Sequence, residues 1–88
     1  MKLKCTFDFV DMGDEIIAVP IGPNSDEIGG VFKLNKEGME ILKLLNDGLS
    51  REEVIDHLSS TYDNNRTELE NYVDKTIGIF QQAGILIE

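Results

Sequence analysis

The hydrophobic period of this chain changes once, near residue 35, and that change restricts the fold more than any other feature. Before it, Leu3, Cys5, Phe7 and Phe9 alternate with Lys4, Thr6 and Asp8, the period-two pattern of a strand with one buried face. After it, apolar residues recur at helical spacing, with Ile41, Leu42 and Leu45 leading. The order is a β half followed by an α half, with neither an internal repeat nor a low-complexity linker between them. At 88 residues there is room for one core, so residues 1–88 are expected to form one domain, with strands over about 2–34 and helices over about 36–83.

Turn and cap chemistry divides each half further. Gly13 in "DMGDE" separates the first strand from "EIIAVPI", predicted to return antiparallel to it. Pro20, Gly22, Pro23, Asn24 and Ser25 form a loop, and "IGGVFKL" follows as a third strand, which a simple meander leaves at the sheet edge. Asn35 is placed to cap the first helix, Glu37 suits its positive end, and Gly48 ends it. Ser50 and Glu53 have capping-box spacing, and Val54, Ile55, Leu58 and Tyr62 form the apolar face of the second helix. Thr67 and Glu70 repeat that spacing before a third helix running from Thr67 to Ala83. Its apolar surface, Leu69, Tyr72, Val73, Thr76, Ile77, Ile79 and Phe80, is broader than one core contact requires, and "ILIE" trails off after Gly84.

Three strands followed by a three-helix bundle make an α+β domain of winged helix-turn-helix-like type, a class that commonly reads DNA with its last helix. Charge opposes that use. Against 8 Lys+Arg stand 17 Asp+Glu, a formal charge of -9, and phosphate contacts supply most nucleic-acid affinity. The would-be recognition helix offers Glu68, Glu70 and Asp74 against Lys75. Catalysis lacks parts as well: the single cysteine, Cys5, lies in an inward strand row, and the single histidine, His57, flanks the stripe of the second helix as a solvated side chain. Neither a cysteine pair nor a second histidine exists to hold a metal, and no cofactor motif is present. The longest apolar run, "IIAVPI", is too short for a bilayer, and no signal-peptide pattern opens the sequence. The expectation is a cytoplasmic, non-catalytic chain that binds neither nucleic acid nor membrane.

The segments "VFKLN", "GMEILKLLNDGLSREEVIDHLSSTYD" and "VDKTIGIFQQAGIL", in that order, resemble the PqqD-like family. In that pattern a strand ends in Leu-Asn, a helix closes near Asp-Gly, a Ser/Thr-x-Glu-Glu start opens the next, and the last closes on Gly-Leu or Gly-Ile. The resemblance implies a recognition element that captures the leader of a ribosomally made precursor peptide and presents it to a modifying enzyme, often a radical S-adenosylmethionine protein. It further implies that the leader adds as a strand to the third strand and packs against the third helix. The implied peptide-binding residues are Gly30, Val31, Phe32, Lys33 and Leu34 of the strand segment, and Leu69, Tyr72, Val73, Thr76 and Phe80 of the helix. Phe32 and Leu34 are expected to point one way, Val31 and Lys33 the other. "IGPNSDEIGG" stands where the pyrroloquinoline-quinone proteins carry a Tyr-Pro-Glu-Gly-like segment, which directs the resemblance to the broader group with another peptide as substrate. From the residues alone, a small winged-helix DNA-binding regulator and a general protein-interaction module remain the other readings.

Overall fold

A computed structural model describes residues 2–86 and has the element order β1 (Thr6–Asp11), β2 (Ile16–Ile21), a 3-10 turn (Ser25–Glu27), β3 (Phe32–Leu34), α1 (Lys36–Asn46), α2 (Arg51–Ser59) and α3 (Arg66–Gln82). The strands form an antiparallel sheet in the order β1-β2-β3, and the three helices follow, so the α+β class expected from the sequence is the one observed. Helix α1 touches all three strands, and α2 and α3 pack on each other and on α1. The inward row of β1, Cys5 and Phe7, meets Ala18 of β2, Ile41 and Leu42 of α1, Val54 and Ile55 of α2, and Val73 of α3 in one apolar core.

Pairing explains where β3 begins. The register places Ile16 opposite Leu34 and Ala18 opposite Phe32, so the next such position on β2 is Pro20. Proline has no N–H to offer a neighbouring strand. The strand expected over "IGGVFKL" is accordingly only Phe32–Leu34, and Gly30 before it sits at φ 111°. Within the intervening loop Ile28, the first residue of that expected strand, turns inward and is buried.

Two further expectations change. Helix α3 begins at Arg66, one residue before Thr67, because Asn65 is the N-cap: its Oδ1 accepts from Glu68 N at 2.9 Å and Glu68 Oε1 accepts from Asn65 N at 3.2 Å. Glu70, assigned to a capping box with Thr67 on spacing, instead pairs with Arg66 at 3.5 Å, an i,i+4 ion pair. The tail after Gly84 does not trail off. Gly84, at φ 79°, lets the chain reverse through a Schellman motif in which Gly84 N bonds Gln81 O and Ile85 N bonds Phe80 O at 3.1 Å each. That turn drives Ile85 and Leu86 into the core at 0% and 7% exposure, and Leu86 forms a bridge with Leu3, which therefore lies outside β1. Of "ILIE", the last two residues lie outside the described region.

Ion pairs tie α2 to α3 across their solvent side. Arg51 bonds Asp74 at 2.6 and 2.9 Å and also pairs with Glu52, while Arg66 reaches Asp56 at 2.8 Å and Glu52 at 3.2 Å. The Arg51 guanidinium holds the Asp74 carboxyl below the usual carboxylate range. A carboxylate whose folded pKa is depressed stabilises the fold above its unfolded pKa and loses that contribution as pH falls through the folded value. Asp74→Asn is therefore expected to cost a small amount of stability at neutral pH, because exposed pairs contribute little, and to flatten the acid limb of a pH-stability profile below pH of roughly 4 by that same amount. An acid limb identical to the parent's would show the clamp to be inert.

Candidate functional site

A three-stranded sheet in this order has two edges, β1 and β3, and the two are finished differently. Met12 N bonds Glu15 O across the hairpin, and the register pairs Thr6 with Ile21 and Val10 with Ile17. Hydrogen-bonded pairs alternate along an antiparallel ladder, so the even-numbered residues of β1 bond β2 and the odd-numbered ones face outward. Phe7 is an outward one. Its N–H donates to Asn46 Oδ1 at 3.2 Å, and Asn46 Nδ2 reaches Phe7 O at 3.5 Å, so a side chain from the end of α1 covers the β1 edge at Phe7, although not at Phe9, which has the same parity. Removing that cover should be measurable: Asn46→Ala leaves a half-buried peptide group unpaired and should cost about 1–2 kcal/mol in a denaturant melt. A cost near zero would mean that water replaces Asn46 freely.

The same parity opens the other edge. The odd-numbered residues of β2 bond β1, so Ile16 and Ala18 turn their backbone groups to Leu34 and Phe32. Lys33, between them, must aim its N–H and C=O away from the sheet, and Val31 has the same parity. Among the described residues no hydrogen bond covers either backbone. An uncovered edge of this kind is a template for an added strand.

Side chains alternate as expected. Phe32 and Leu34 are half-buried against the core, the Phe32 ring meeting Phe7 edge-on with centroids 6.3 Å apart at 67°. Val31 and Lys33 are exposed, and Lys33 Nζ lies 3.9 Å from Glu15. Gly30 is exposed in the preceding loop.

The residues singled out on the third helix divide sharply. Leu69, Val73, Thr76 and Phe80 are 5%, 0%, 8% and 3% exposed and are spent in the core, with Thr76 Oγ1 donating to Tyr72 O at 2.9 Å. They offer no open groove face along α3. Tyr72 is different: it is exposed, and its hydroxyl lies 3.5 Å from Oδ1 of Asn35, the residue that follows β3. A cleft of about 510 Å³ opens there, lined by Asn35, Glu37, Leu58, Tyr62, Asn64, Glu68, Leu69 and Tyr72. The structure thus brings the end of β3 to the first turns of α1 and α3, with Leu69 and Tyr72 the two helix residues of the sequence reading that reach the junction.

Tyr62 closes the opposite wall, its hydroxyl donating to Glu40 Oε2 at 3.1 Å. Burial pushes its phenol pKa up, and the bond to Glu40 and the carboxylates of Glu40 and Glu37 push it further. Sequence reasoning assigned Tyr62 to a helix face, Asn35 and Glu37 to a cap, and none of them to a site. One signal was available: the chain has only two tyrosines, and both line this cleft.

The candidates for other chemistry lie elsewhere. Cys5 is buried, its thiol pKa raised by burial against a backbone hydrogen bond at Ile21 that acts the other way, and His57 is exposed on α2. Among the described residues no three His, Cys, Asp or Glu side chains are grouped to hold a metal ion, and no helix is long and apolar enough to cross a membrane.

Comparison with known proteins places these features in context. The family model described as "Coenzyme PQQ synthesis protein D (PqqD)" matches residues 18–86. Among solved structures the fold is similar to "TbiB1 in Complex with the TbiA(beta) Leader Peptide", with a TM-score of 0.78 and 22% sequence identity over 99% of this chain and 95% of that one. No curated protein matches.

Proposed function

The chain belongs to the PqqD family, and from that membership we propose that it is a peptide-binding recognition element, which captures the leader of a ribosomally made precursor peptide by strand addition at β3. One observation carries this reading: Asn46 interrupts the β1 edge at Phe7, while the backbone of Lys33 stays uncovered and leads into the cleft at Asn35. Strand addition draws affinity from main-chain hydrogen bonds at such an edge and specificity from neighbouring side-chain pockets. The similar fold whose description names a leader peptide supports the same reading. Gly30, Val31, Phe32, Lys33 and Leu34 supply the edge, with Leu69 and Tyr72 beside its end; Val73, Thr76 and Phe80 hold α3 in place beneath.

The protein works by capture and delivery. It brings the precursor's core to a separate modifying enzyme, for which a radical S-adenosylmethionine protein is the proposed class, and it turns over no peptide alone. The acidic surface gives the alternative, a DNA-binding regulator, no phosphate-neutralising face, because counterion release needs clustered Lys and Arg. A titration of the 15N-labelled protein with the leader segment of a candidate precursor peptide tests the proposal. The amides of Val31 and Lys33 are expected to shift most, with Tyr72 following. Shifts confined to α2, or tight binding to duplex DNA at physiological salt, would overturn it.

A further inference from the structure

Resting on the recognition-element reading, we infer that the cleft between α1, α2 and α3 at the end of β3 is a specificity subsite for a lysine or arginine side chain of the bound peptide. A strand laid along Lys33 that continues past Leu34 arrives at Asn35, one of the cleft's lining residues. The cleft is shaped for a long side chain with an apolar stem and a charged head. Leu58 and Leu69, 2% and 5% exposed, are its apolar lining, and Tyr62 and Tyr72 add aromatic rings to it. Lysine and arginine bury their methylenes against such surfaces while the head stays polar, and a cation over an aromatic ring gains further.

Charge decides the sign of the head group. Glu37 and Glu68 line the cleft, and Glu40 is held at its edge by Tyr62. Among the described residues none of these three carboxylates is in an ion pair, whereas Arg51 and Arg66 are bound to Glu52, Asp56, Glu70 and Asp74, Lys33 to Glu15 and Lys4 to Glu27. The starts of α1 and α3 oppose this, each carrying roughly half a positive charge. Three carboxylates against about one positive charge leave the cleft at about −2. The Tyr62 phenol pKa is raised first by burial and then by Glu40 and Glu37. An anionic or apolar head would meet repulsion or leave the carboxylates unanswered.

The test is a random decapeptide library selected on the immobilised protein. Selected peptides should share an apolar strand-forming stretch with a Lys or Arg at a fixed offset from it. Repeating the selection on Glu37→Gln/Glu40→Gln should keep the stretch and lose the basic preference, while Asp8→Asn/Asp26→Asn, which removes the same net charge elsewhere, should keep both. In the best peptide, replacing that Lys by norleucine should weaken binding to the parent several-fold, and much less at high salt or on the cleft variant. Strand-like peptides with no basic preference, or a preference unchanged on the cleft variant, would overturn the subsite and leave the recognition element standing. Selection of no strand-like peptide at all would overturn both.

Discussion

Phe32→Pro is expected to lower folding stability by about 1–3 kcal/mol, whereas Lys33→Pro, one residue along, should leave it within about 0.5 kcal/mol of the parent and weaken peptide binding instead. Phe32 is paired with Ala18, and the proline removes the N–H on that side together with a ring that packs on Phe7. A lost hydrogen bond contributes about 0.5–1.5 kcal/mol, and a half-buried aromatic roughly half of the 1.5–3 kcal/mol of a fully buried one. Lys33 turns its N–H to solvent and its side chain is exposed, so proline there takes a donor that only an added strand would use. Edge strands tolerate proline for this reason. One lost bond corresponds to a several-fold to about tenfold drop in affinity. Val31→Pro, of the same parity, should follow Lys33→Pro in direction. Thermal melts and calorimetry with the precursor leader check both arms. If Lys33→Pro unfolds the protein, or binds the leader as the parent does, the parity deduced for this edge is wrong.

Ile85→Ala should cost about 2–5 kcal/mol, although it stands within four residues of the last position in the sequence. Ile85 is 0% exposed in the core, held there by the Schellman turn at Gly84 and by the bond from Lys4 N to Ile85 O at 2.8 Å. For a chain of this size that loss corresponds to a fall in Tm of about 10 °C or more. Ile79→Ala provides the comparison. Ile79 lies on the same helix that precedes this turn but is 55% exposed, and its truncation should change stability by less than about 0.5 kcal/mol. Equal effects of the two substitutions in a chemical melt would mean that the tail does not pack as described.

These two results separate what was legible in the sequence from what was not. The caps at Asn35 and Ser50 and the stop at Gly48 were read correctly because each depends on residues within four positions, where spacing is the geometry. At α3 the local reading took Thr67 with Glu70 and passed over Asn65 with Glu68, the pair the structure uses. Both satisfy the spacing, and asparagine is the better cap. The breadth of apolar surface on α3 was also visible, but periodicity says which residues share a face and not how wide the neighbouring elements are. Packing against α1 and α2 covered Leu69, Val73, Thr76 and Phe80 and left Tyr72 and Ile79 out.

The sequence by itself determined the order of strands and helices, the caps of the first two helices, the acidic surface and the family pattern running from "VFKLN" to "AGIL". Only the tertiary structure decided that Asn46 covers β1 at Phe7, where β3 starts, what the tail does and that the two tyrosines line one cleft. Asn46 reaches Phe7 across 39 positions, Pro20 matters only opposite residue 30, and Tyr72 meets Asn35 across 37. Such contacts form when the whole chain has closed, at an entropic cost that depends on loop length and not on local spacing. The free backbone of Lys33 is a property of that closure, since the same Val-Phe-Lys-Leu would be an interior strand had another segment folded against it.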